Sequence, residues 1–138
     1  RPWLSEPGSA LLVSVSRRFA GGIGALRGLS LAVGVSLAES LRRVGVPVLL
    51  KWPNDLQVAG AKLGGILVEL LPPGPTGCRV VVGFGINCRL SDAARTAIGQ
   101  AATDLQSSGF AGNRAALLPR LLADLLTDLA DFERQGFA

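Results

Sequence analysis

Two apolar stripes of helical period stand on either side of a block patterned for strands. In residues 25–44, Leu26, Leu29, Val33, Leu37 and Leu41 recur at spacings of three and four, which predicts a helix. Arg42 and Arg43 suit its negative C-terminal end, and Gly45 is a natural stop. The second stripe begins after Asn113, a good N-cap. It comprises Leu117, Leu118, Leu121, Leu122, Leu125, Leu126, Leu129 and Phe132 and predicts a helix ending near Gln135. Between the stripes lie β-rich runs at 46–50, 56–58, 62–71 and 79–87. Pro53-Asn54-Asp55, Ala59-Gly60 and the Pro- and Gly-rich stretch 72–77 separate them. Residues 9–16 alternate like a strand, 91–98 suit a short helix and 103–112 a loop. This order of strand, helix, three or four strands and helix predicts an α/β (α+β) fold, a mixed β-sheet flanked by helices.

The 138 residues suffice for one domain with a real core. With 49% hydrophobic and only 5% aromatic residues, that core has to be built from Leu, Val, Ala and Ile. Histidine is absent, which removes the Ser-His-Asp triad, the Cys-His pair and any His-based zinc site. Cys78 and Cys88, the only cysteines, flank a strand-like run that would hold them apart. Two reduced thiols in a cytoplasmic protein are expected. The longest apolar run, residues 29–38, is too short to span a bilayer, so no membrane association is expected. A net charge of +4 suits an anionic ligand, but the arginines are scattered and not gathered into a nucleic-acid-binding run.

The chemistry concentrates in Lys51-Trp52-Pro53-Asn54-Asp55 and Lys62-Leu63-Gly64-Gly65. Lys51 ends one strand and Lys62 opens another, and a short connection brings them to one end of the sheet. There they either hold the anionic groups of a substrate or stand as solvated strand-end lysines. Gly64-Gly65 favours the first reading, since glycines let a ligand lie against backbone. Asn54 and Asp55 either build a turn or handle a metal-bound phosphate. Gly83-Phe84-Gly85-Ile86-Asn87 lacks the third glycine and the following helix of a dinucleotide fingerprint, and better suits a strand packed against a flat ring. Arg1 and Trp3 read either as a phosphate clamp with a stacking surface or as a solvated terminus.

In order and spacing, the runs 51–56, 62–69 and 82–87 resemble the motif series of biotin protein ligase catalytic domains. Arg1-Pro2-Trp3 resembles the tail of that family's glycine–arginine loop. The resemblance extends over essentially the whole chain. It implies the class II aminoacyl-tRNA synthetase-like biotin/lipoate ligase fold and the reaction of a biotin–[acetyl-CoA-carboxylase] ligase. In that reaction biotin and ATP give biotinyl-5′-AMP, and biotin then passes to a lysine of a biotin carboxyl carrier protein. By the same resemblance Lys62, Lys51 and Asp55 are catalytic, and Lys62, Gly64, Gly65, Gly83 and Gly85 contact biotin. Arg1, Trp3, Lys51, Asn54 and Asn87 contact ATP, and Asp55 handles Mg2+. A homodimer formed through edge-to-edge sheet pairing is implied as well.

The chain departs from that pattern in what it lacks. Most of the glycine–arginine loop, the preceding part of the catalytic domain, the C-terminal β-domain and the DNA-binding domain of some members are not in it. Residues 1–138 are therefore expected to be a partial catalytic domain with little adenylation activity alone. Two other readings stand beside this one: a lipoate or octanoyl transferase-like domain, and a non-catalytic fragment that binds biotin or pairs through its sheet.

Overall fold

The computed structural model describes residues 8–72, 74–75 and 77–135. Its strands are β1 (Ala10–Phe19), β2 (Leu49–Lys51), β3 (Asp55–Val58), β4 (Ala61–Leu70) and β5 (Cys78–Asn87). They form one sheet in the order β1-β5-β4-β3-β2, and every pairing between them is antiparallel. Among the described residues a parallel pairing enters only at an isolated bridge between Lys62 and Ala102. The helices are α1 (Leu29–Arg43), the short α2 (Asp92–Ile98) and α3 (Arg114–Gln135).

Period-two alternation divides the sheet into two faces. Leu11 and Phe19 of β1, Leu56 of β3, Ile66 of β4, and Val80, Val82, Phe84 and Ile86 of β5 are buried on one of them. Leu29, Val33, Leu37 and Leu41 of α1 and Leu117, Leu121, Leu125, Leu129 and Phe132 of α3 share their core. The two helices also meet through Asp124, which accepts from Ser40 Oγ at 2.6 Å and Arg43 Nη1 at 3.1 Å. Phe19 meets Phe132 edge-on at a centroid separation of 6.3 Å, locking the end of β1 to α3. Among the described residues no helix covers the opposite face. That face carries the site.

Three local expectations are corrected. The first helix does not run unbroken through 25–44. A 3-10 turn at Ile23–Leu26 precedes α1, and between them Gly28 takes the left-handed conformation at φ 82°, open to glycine at little cost. The stretch Ile23–Arg43 is long and apolar enough to cross a membrane by length and composition alone. Its α-helical part has 15 residues, spanning about 22 Å of a roughly 30 Å hydrocarbon core, and its apolar stripe is buried within the fold. In the apolar run 46–50 only Leu49 and Leu50 join the sheet. Val46 and Val48 are fully buried beside Pro47, which has no N–H to donate, so core burial explains their character. The α3 stripe is narrower than expected, with Leu126 left 45% exposed.

The hairpin of β3 and β4 follows the pattern read from sequence. Ala59 at φ 50° and Gly60 at φ 81° form its turn. Ser91 caps α2 by accepting from Ala94 N, and Asn113 Oδ1 accepts from Ala115 N at the start of α3. Cys78 and Cys88 are free thiols.

Candidate functional site

Strand register assembles the site from residues far apart in sequence. Leu12 lies opposite Gly85, Gly85 opposite Gly65, Gly65 opposite Asp55, and Asp55 opposite Lys51. These residues form one row across all five strands on the open face. A second row places Ser14 opposite Gly83 and Gly83 opposite Leu67. Gly65, Gly83 and Gly85 thus make a side-chain-free floor in the middle of the sheet. Leu12 and Leu67, each 59% exposed, stand on either side of it. The result is a groove of about 570 Å3, with Asn54, Asp55 and Lys62 at one end.

Lys62 reaches this groove through a break in the strand alternation. In β4, Gly64 and Ile66 are buried on the core face, and strict alternation would send Lys62 to that side as well. The register between β3 and β4 shifts instead: Leu56 pairs with Gly64, but Gln57 pairs with Lys62. Leu63 is the extra residue of a bulge, fully buried, and beyond it the alternation is reversed. The Lys62 ammonium then lies 3.4 Å from Asp55 Oδ1, with the two side chains 26% and 30% exposed. At that exposure the pair adds little stability, and its consequence is positional.

The main chain of Lys62 is held from the side away from β3. Its N–H donates to Ala101 O at 3.0 Å, and its carbonyl accepts from Thr103 N at 2.9 Å. The same segment grips Asn87, whose Nδ2 donates to Thr103 O at 3.2 Å while its carbonyl accepts from Leu105 N at 2.9 Å. Asp104, 2% exposed, anchors this segment. Its Oδ2 accepts from Leu90 N at 2.7 Å and Arg95 Nη2 at 2.9 Å, and its Oδ1 accepts from Ser107 N at 2.7 Å. Burial works to raise the Asp104 carboxyl. The N–H groups of Leu90 and Ser107, the Ser107 side chain and the Arg95 charge outweigh it and hold the group below the usual carboxylate range.

Of the residues singled out from sequence, Lys62, Asp55, Asn54, Gly65, Gly83 and Gly85 meet at the groove. Lys51 stands beside it, exposed on the edge strand opposite Asp55. Gly64 is buried and does not line the groove. A side chain there would run into the Gly85 carbonyl, so close strand packing accounts for this glycine. Asn87 is 4% exposed, and its amide is directed to Thr103. Arg1 and Trp3 lie outside the described residues. Sequence reasoning missed Leu12, Ser14 and Leu67, which are local strand residues until register places them beside the glycines. It also missed Arg95 and Asp104, in segments read as a short helix and a loop.

Comparison with known proteins decides the family. Residues 3–87 match the biotin/lipoate A/B protein ligase family. The chain belongs to that family. It is 37% identical over 139 residues to the bifunctional ligase/repressor BirA of Escherichia coli, covering 100% of this chain and 43% of that protein. It is 34% identical over 131 residues to a biotin–[acetyl-CoA-carboxylase] ligase of Mycobacterium tuberculosis, covering 91% of this chain and 46% of that one. A biotin protein ligase from Aquifex aeolicus, solved in complex with biotin and ATP, superposes with a TM-score of 0.72 at 26% identity. That match covers 99% of this chain and 56% of the other. The expected biotin protein ligase fold is thus found, and this family member spans about half the length of its relatives.

Proposed function

We propose that the groove is the biotin and nucleotide floor of a biotin protein ligase. The observation that carries this reading is Lys62 held at one end of a glycine-floored, leucine-walled groove. A flat bicyclic ring with an aliphatic arm can lie on backbone between Leu12 and Leu67, while its carboxylate meets the lysine. Attack of that carboxylate oxygen on the α-phosphorus of ATP forms biotinyl-5′-AMP and releases pyrophosphate. Two anions must meet in this step, and a fixed ammonium stabilises the charge that builds on the phosphate oxygens. No histidine base is needed, in keeping with a chain that has none. In the second step the amine of a carrier lysine attacks the acyl carbon, AMP departs with the bonding pair, and the nitrogen loses its proton.

Lys51 is proposed to face the phosphates from the sheet edge, and Arg1 and Trp3 to meet the adenosine, while the buried Asn87 amide stays on Thr103 O. Among the described residues no cluster of three His, Cys, Asp or Glu side chains could hold a metal. Asp55 would give Mg2+ a carboxylate oxygen, beside nucleotide phosphates and water. Bound there, the ion would offset phosphate charge. The biotin carboxyl carrier protein as acceptor, a cytoplasmic setting and a homodimer belong to the same proposal. For the dimer, the outer edge of β1 has no described strand beside it.

Titration calorimetry of the full-length protein with biotin, lipoate and ATP tests the reading. Biotin is expected to bind and to bind more tightly with ATP present. Preferential binding of lipoate would move the assignment to the lipoate side of the family. Biotin binding indifferent to ATP would make the chain a non-catalytic binder.

A further inference from the structure

We propose that Arg95 and Asp104 are positioning residues for Lys62, acting through the main chain of residues 101–103. The inference rests on Lys62 being the group that meets the biotin carboxylate. Past the pairing of Gly64 with Ile86, Lys62 has both main-chain hydrogen-bonding groups turned toward residues 101–103. That short segment fills the place beside β4 that β5 has left. Where Lys62 sits therefore depends on where 101–103 sits.

Besides the Asn87 amide on Thr103 O, the side chains of Arg95 and Asp104 hold that segment. Arg95 Nη1 donates to Ala102 O at 2.6 Å, and Arg95 Nη2 donates to Asp104 Oδ2 at 2.9 Å. One planar guanidinium thus grips the segment at the residue facing Lys62 and again two residues on, a fork that lysine cannot reproduce. Asp104 in turn ties the segment to Leu90 N, three residues beyond the end of β5. The helix that presents Arg95 has no buried residue, so polar contacts hold α2 in place. Releasing Arg95 frees α2 and 101–103 together while the apolar core stays intact, since core and latch share no side chain.

The test uses the full-length protein with Arg95→Ala, Arg95→Lys, Lys62→Ala and the Arg95→Ala/Lys62→Ala double variant. Affinity is measured for biotin and for biotinamide, which lacks the charge that Lys62 meets. Arg95→Ala is expected to weaken biotin about tenfold and biotinamide less than about twofold. Arg95→Lys should recover only part of the loss. Added to Lys62→Ala, Arg95→Ala should cost less than about twofold more, because two residues acting as one unit are non-additive. Hydrogen exchange should show faster exchange at the Lys62 and Thr103 amides, with the β5 amides of Val82 and Ile86 unchanged. Undiminished biotin affinity in Arg95→Ala, or the same tenfold loss repeated without Lys62, would overturn the positioning role. If the unaltered protein binds no biotin, the functional reading fails. Exchange at Lys62 and Thr103 then decides the positional claim alone, and unchanged protection there overturns it.

Discussion

Replacing Gly83 by alanine separates a glycine kept for a ligand from one kept for the fold. A Cβ at Gly83 would lie 3.6 Å from Leu67 O, 3.8 Å from Val13 O and 3.9 Å from Ser14 Oγ. These are ordinary van der Waals distances, and Gly83 is not among the glycines with positive φ. The folded protein therefore has room for the methyl group. Restricting the unfolded chain even favours alanine by about 0.4–1 kcal/mol. A stability change within about 1 kcal/mol is expected, equivalent to a Tm shift within about 3–4 °C for a chain of 138 residues. The same methyl would stand about 1.5 Å above the groove floor, since that is the length of a carbon–carbon bond. A ring resting on backbone at about 3.5–4 Å would have to rise by a comparable distance. At its far end the carboxylate then leaves Lys62, and a 1 Å misplacement can cost about a hundredfold in rate. We expect biotin affinity to fall at least tenfold, about 1.4 kcal/mol, and single-turnover adenylate formation to fall about a hundredfold. Calorimetry, a quench-flow measurement and a thermal melt on one preparation provide the readouts. An alanine variant with unchanged melting, affinity and rate would refute the placement of the ligand on this floor. Gly64 cannot serve as this test, because a Cβ there meets the Gly85 carbonyl and the strands themselves must shift.

Lys62→Ala should lower adenylate formation by about 10²–10³-fold, as for loss of one electrostatic stabiliser, and Lys62→Arg should restore charge but not placement. A near-normal rate in the alanine variant would reject the role. Asp104 has a folded pKa below its ordinary value, so its contribution is complete above about pH 4 and is lost as pH falls through the lower folded value. Asp104→Asn should thus cost about 1–3 kcal/mol near neutral pH, and urea melts at successive pH values should show the gap closing in acid. Glu133, held low by the Ala20 N–H and Arg17, titrates in the same direction, so the difference between variant and parent is the quantity to follow. Leu121→Ala, at a fully buried position of α3, should lower unfolding free energy by about 2–5 kcal/mol. A loss below about 1 kcal/mol would mean that α3 does not seat on the core as described.

Much of this protein is local and was legible as such. The periods of α1 and α3, the caps at Ser91 and Asn113, the turn at Ala59-Gly60 and the motif residues follow from neighbours within a few positions. A strand-like pattern, however, records burial and not pairing: in the β-rich run 46–50, Val46 and Val48 are buried without joining the sheet. Which face a strand residue takes depends on register with distant partners, and one extra residue reverses it. That is why the bulge at Leu63 could turn Lys62 to the groove, and why adjacent glycines differ, Gly65 on the floor and Gly64 against the Gly85 carbonyl. The sequence alone singled out Lys62, Asp55, Asn54 and the glycines as candidates. Their convergence on one open face, and the Arg95–Asp104 latch behind Lys62, were decided by tertiary structure, because hydrogen bonds between segments as distant in sequence as β1 and β5 have no local signature.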